Sequence, residues 1–401
     1  MTESPYVDIL CAPADYTFRI ASCPAATMSP ADTLRLHNKL WIQEDDLRGY
    51  IARVRYFATP EYNHGKTDTV ADAMTLFRKQ FALSRAQGYG FWRLDLYADF
   101  FTNPEMNSAL LGRWIKAETA LRRKDALPMP AEVAFVVDGP GYAYDGVGGV
   151  GPVSMRQQLK TFNCIGVPRD VIQMKDFINT KLPPYKLYIF LNTFAVDAQT
   201  RLKIHEKLAN DRATAVWLYA DGFYNGTPGV SPDAANIQKL TGIKPGVTVS
   251  RSRQNIAINA GGEQLSWQMP SQTSPTFFVE DTSARPLGAG EGGKVGAAWK
   301  DMGGWTSIYI SNPYLPLPAL RYLCKRAGVH MYFAGDDPVY IGKGFFATNA
   351  TSSGEKKIIF PEKVDIADYE SGKVLATGVA QFTFTAASGE AYMYAVTRNK
   401  K

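Results

Sequence analysis

Four short apolar runs constrain this chain most: Glu132–Asp138 (EVAFVVD), Leu187–Leu191 (LYIFL), Ala215–Tyr219 (AVWLY) and Thr306–Ser311 (TSIYIS). Each has the length of a buried strand, and stretches of helical period at 153–162, 197–210 and 316–327 lie between or after them. Strands alternating with helices in this way predict a doubly wound parallel sheet. The segment from Lys244 to Lys300 is richer in Gly, Ser, Thr and Gln, so an insertion of irregular or antiparallel structure is expected there.

Ahead of this series the pattern is a shorter β/α fragment. Tyr6–Leu10, Leu40–Ile42 and Tyr89–Tyr97 read as strands. Thr67–Gln87 reads as a helix stopped by Gly88, and Met106–Arg123 as a helix opened by Asn103-Pro104-Glu105. Lys124–Pro130 is the natural linker. From Asp336 the chain changes to short alternating runs separated by Gly, Ser and Asn, as in a small antiparallel β domain. Because 401 residues exceed what one core organises, three domains are expected, over 1–125, 126–335 and 336–401.

Charge excludes some functions. A net charge of +6 without a dense Lys/Arg block does not indicate a nucleic-acid partner. No run of 18 apolar residues occurs, so no membrane partner is expected, and MTESPYVDIL lacks a basic stretch followed by an apolar one. Localisation stays open. Cys11, Cys23, Cys164 and Cys324 have no metal-like spacing and are expected to be buried free thiols, and no cofactor is implied.

Chemistry is most legible in Leu36–Arg48 (LHNKLWIQEDDLR), where an apolar strand runs into Gln43, Glu44, Asp45 and Asp46, with Arg48 beyond. Parallel α/β barrels present catalytic acids at the carboxyl ends of their strands, which makes Glu44 the candidate catalytic residue. The same pattern also fits a surface carboxylate paired with Arg48. Trp41, Trp92 and Tyr16 could stack against a ligand or simply pack, while Arg19, Asp46, Arg48 and Asp95 are candidate polar binding groups close in sequence to the predicted strands. Six glycines between Gly139 and Gly151 precede a helix, but the spacing matches neither G-x-G-x-x-G nor a P-loop, so a surface loop is expected rather than a nucleotide site.

The order of SPYVDILCAPADYTFR, LHNKLWIQEDDLR, GYGFWRLDLYADFFTNPE, EVAFVVD, YKLYIFLNTFAVD, AVWLYADG and GGWTSIYISNPYLP resembles the carboxyl-terminal portion of glycoside hydrolase family 42 β-galactosidases. The resemblance implies an α/β protein: a partial (β/α)8 barrel with its last strands only, a doubly wound glutamine-amidotransferase-like trimerisation domain, and a small β-sandwich. It makes Leu40–Gln43 barrel strand seven and Glu44 the nucleophile of a retaining hydrolase. The family's acid/base glutamate belongs to strand four, which has no counterpart here. The resemblance also implies a carbohydrate substrate, a homo-oligomer of trimeric type, and an upstream polypeptide supplying the other strands.

Two alternatives stay open. One is a non-catalytic carbohydrate-binding or oligomerisation scaffold. The other, amidotransferase chemistry, is disfavoured because Leu191-Asn192-Thr193-Phe194, where the nucleophile elbow is expected, contains no cysteine.

Overall fold

The computed structural model describes residues 2–15, 20, 23–47, 67, 69–94, 110–121, 125–145 and 149–399. The fold is mixed α/β and divides into two compact units, one of residues 1–130, 162–168 and 331–401, the other of residues 131–161 and 169–330. No described helix is long and apolar enough to cross a membrane.

In the first unit, strands β1 (Ile9–Pro13), β2 (Leu40–Asp45) and β3 (Gly90–Arg93) form a three-stranded parallel sheet in that order. β1 lies further along the chain than the apolar run at Tyr6–Leu10 suggests. Tyr6 is exposed, and pairing to β2 runs from Ile9 opposite Leu40 to Pro13 opposite Glu44. Helix α1 (Val70–Gln87) connects β2 to β3. The Thr69 side chain caps its start by accepting from the Asp72 N–H, and Gly88 ends it at φ 72°, a backbone region favourable to glycine.

A second helix, α2 (Leu110–Leu121), brings Trp114 against Phe81 of α1, the rings stacked 3.8 Å apart. The carboxyl-terminal strands form a five-stranded antiparallel sheet ordered Val339–Gly342, Phe345–Asn349, Ala391–Arg398, Gly354–Asp368 and Val374–Ala386. Ala73, Phe77 and Leu83 of α1 share one apolar core with Tyr340 and Phe345 of this sheet and with Tyr369, which follows the strand Gly354–Asp368. At its edge Glu370 accepts both Nε and an Nη of Arg78, at 2.7 and 3.0 Å.

The second unit is built on parallel strands β4 (Val133–Val137), β5 (Arg169–Gln173), β6 (Leu187–Phe190) and β7 (Thr214–Leu218), joined by Thr306–Ile310. Their order is β5, β4, β6, β7, then Thr306–Ile310. Every residue of β4 and β6 is buried, as their unbroken apolar runs require of strands covered on both faces. β5 was not evident from sequence. It lies at the sheet edge, and RDVIQ buries only alternate residues. The Lys244–Lys300 insertion is antiparallel, carried on the sheet by Val295–Asp301 paired to Thr306–Ile310.

Candidate active site

The pleat of the three-stranded sheet decides what can stand beside Glu44. Side chains alternate along a strand, so residues in register on neighbouring strands share a face. Glu44 pairs with Pro13 on one side and Trp92 on the other, and Ile42 pairs with Cys11 and Gly90. One face therefore carries Cys11, Ile42, Glu44 and Trp92. It is the open face: Ile9, Leu40 and Trp92 are 54, 40 and 42% exposed, whereas Glu44 is half-buried. The other face carries Leu10, Trp41, Gln43 and Asp45, and is covered by Ala31 and Leu34 of the short helix Ala31–His37.

Around Glu44 the contacts are specific. The Cys11 thiol faces Glu44 Oε2 at 4.0 Å, and Trp92 Nε1 donates to Cys11 Sγ at 3.2 Å. The indole, thiol and carboxylate thus form one chain across three adjacent strands. Cys11 is exposed, contrary to the expectation of four buried thiols; Cys164 and Cys324 are buried, and Cys23 is intermediate. No feature of the sequence linked Cys11 to Glu44, because their pairing depends on register.

The structure brings Trp92 to Glu44 and separates Trp41 from it. Trp41 is three residues from Glu44 in one strand, hence on the opposite face, where it is 4% exposed and its Nε1 donates to Gln43 Oε1. Asp45 shares that covered face and pairs with the buried Arg93 at 3.1 Å. Asp46 follows the strand and is 6% exposed. Tyr16, Arg19, Arg48 and Asp95 lie outside the described residues.

The second unit gathers a different set of groups at its strand ends. Asp138, just after β4, and Asn192, just after β6, exchange hydrogen bonds: Asn192 Oδ1 accepts the Asp138 N–H at 2.8 Å and Asn192 Nδ2 donates to the Asp138 carbonyl at 2.7 Å. Burial pushes the Asp138 carboxyl up to about 6, against a lowering hydrogen bond from the Gly141 backbone. Asp221, fully buried after β7, accepts the Thr193 and Leu218 N–H groups at 2.7 and 2.8 Å, and burial holds its carboxyl well above the usual range.

The non-glycine residue held at positive φ by a strand end here is Tyr219, at φ 55°, and not any of Leu191–Phe194. Its phenol donates to the Pro275 carbonyl at 2.6 Å, and burial raises its pKa far above the ordinary tyrosine value. A buried, neutral phenol at this position supplies no thiol-type nucleophile. No cluster of metal-ligating side chains occurs among the described residues.

No protein-family model matches the sequence, and no curated protein does. Solved structures match its fold. A catalytic mutant of Gan42B, a GH42 β-galactosidase from G. stearothermophilus, superposes with a TM-score of 0.62 at 14% identity, covering 92% of this chain and 56% of that one. A polyextremophilic β-galactosidase from the Antarctic haloarchaeon Halorubrum lacusprofundi gives 0.59 at 13% identity, covering 98% and 64%. The cold-adapted β-galactosidase of Rahnella sp. R3 gives 0.59 at 12% identity, covering 92% and 56%. The chain is therefore similar in fold to GH42 β-galactosidases and spans somewhat over half their length.

Proposed function

We propose that this chain is a glycoside hydrolase-like protein of β-galactosidase type in which Glu44 is the nucleophile of a retaining reaction. The observation that carries the reading is the position of Glu44: half-buried near the carboxyl end of the middle strand, on the open face, with Trp92 beside it. A carboxylate there attacks the anomeric carbon, and the exposed indole offers a ring face to the sugar. The fold likeness to GH42 enzymes supports the same assignment.

Retention requires a second carboxyl group about 5 to 5.5 Å from the nucleophile to protonate the leaving oxygen. Asp45 does not serve, since it lies on the opposite face and is engaged by Arg93. In this reading an upstream polypeptide provides the acid and the remaining barrel strands, and covers the apolar side chains of Ile9 and Leu40. Residues 1–125 are then the end of a barrel, 126–335 an amidotransferase-like assembly domain and 336–401 a small β domain.

The placement of Asp45 also favours a second reading, a carbohydrate-binding or oligomerisation scaffold without turnover. Hydrolysis of a panel of aryl β-glycosides, with Glu44→Gln as control, separates the two. Turnover that disappears in the variant supports the hydrolase. Absence of turnover from folded protein, alone and with the upstream polypeptide added, supports the scaffold.

A further inference from the structure

We infer that the second unit holds a saccharide-binding pocket of its own, at the carboxyl ends of its parallel strands. The chain leaves β4 for β5 on one side of the sheet, while β6 lies on the other side of β4. The loops after β4 and β6 consequently diverge, and such switch points are where open α/β sheets bind ligands. A cavity of about 480 Å³ opens at this place, with Tyr144 from the first loop, Phe194 from the second, and Tyr224, Arg251 and Gln272 around it. That volume falls within the usual range for small-molecule sites, about 300 to 1,000 Å³.

The lining selects the ligand class. Tyr144 and Tyr224 place their rings 4.8 Å apart at 43°, and Tyr144 is 40% exposed, so an aromatic surface faces the cavity mouth. Arg251 and Gln272 are exposed, and among the described residues neither side chain makes a hydrogen bond or ion pair. An aromatic surface combined with amide, guanidinium and phenol groups matches a sugar ring, which presents an apolar C–H face and a rim of hydroxyls that both donate and accept.

Phosphate is disfavoured by the glycine loop itself. Its Val150 and Gly151 N–H groups donate to the Asp145 carboxylate at 2.6 and 2.5 Å, so an internal anion occupies the position a phosphate would take. The glycines serve that contact: a Cβ on Gly149 would fall 2.1 Å from Asp145 Oδ1, and one on Gly151 would fall 2.4 Å from Oδ2. The pocket therefore takes a mono- or disaccharide and rejects a nucleotide. The inference does not depend on the hydrolase reading of Glu44.

The test is titration calorimetry of the full chain with galactose, glucose, lactose, inorganic phosphate and ADP, repeated for Tyr144→Ala and Gln272→Ala. The expected result is binding of at least one sugar, weakened about tenfold or more by Tyr144→Ala or Gln272→Ala. Circular dichroism of each variant confirms that it is folded. The inference is overturned if folded protein binds none of the sugars, if Tyr144→Ala and Gln272→Ala leave sugar binding intact, or if phosphate or ADP binds in place of the sugars.

Discussion

Asp138 shows how a single residue can be followed by titration. Its carboxyl, at 3.8 in an open chain, rises to about 6 in the fold chiefly through burial. Between these values the folded protein holds the proton more tightly than the unfolded chain. The contribution to stability is therefore fully present below about pH 4 and is lost as pH rises through about 6. Asp138→Asn removes this dependence, and we predict that denaturant unfolding from pH 4 to 7 shows the variant gaining on the parent by on the order of 1 to 3 kcal/mol over that interval. Equal pH dependence in the two proteins would contradict the placement. The importance of Asp138 was not legible in the sequence, where it only ends an apolar run. Glu44 was legible as a strand-end carboxylate, but its neighbours were not: Cys11 and Trp92 meet it through parallel register, and Trp41 is turned away by the pleat.

At the scale of elements, α1 is the member on which the first unit depends. Phe77 is 2% exposed and touches rings on both sides, Phe91 of β3 at 5.3 Å and Trp114 of α2 at 4.9 Å. Phe77→Ala deletes the ring at this junction, and we predict a loss of about 3 to 5 kcal/mol in urea unfolding of this unit. A loss under about 1 kcal/mol would show that the helix is not a packing centre. The helix was readable from its apolar period, and its bounds follow from Thr69 and Gly88. β4, β6 and β7 were readable because their runs are apolar throughout, whereas β5 alternates and carries Arg169 and Asp170, so nothing in its composition separated it from a loop. The carboxyl-terminal sheet differs in detail from its sequence pattern: Pro361 and Glu362 break the apolar run, yet Gly354–Asp368 continues as one strand whose register shifts between Ile359 and Val364. A bulge absorbs what the sequence presents as a turn.

For the whole molecule, we propose a GH42-type hydrolase whose α/β unit supports assembly. Light scattering of the purified chain is predicted to give a homotrimer, about three times the 44.3 kDa of one chain; a monomer at all concentrations would contradict the assembly role. The catalytic assignment permits a more direct measurement, because it can be made independent of the general acid. A dinitrophenyl leaving group departs without protonation, so a 2,4-dinitrophenyl β-galactoside needs only the nucleophile to react. Attack by the Glu44 carboxylate forms the glycosyl ester and expels dinitrophenolate; breakdown of that ester then waits on a base to activate water. The measurement is mass spectrometry of the protein after this incubation, followed by peptide mapping. A single galactosyl adduct is expected on the peptide containing Glu44, absent in Glu44→Gln. Folded protein that carries no adduct, or carries it on another residue, would contradict Glu44 as the nucleophile.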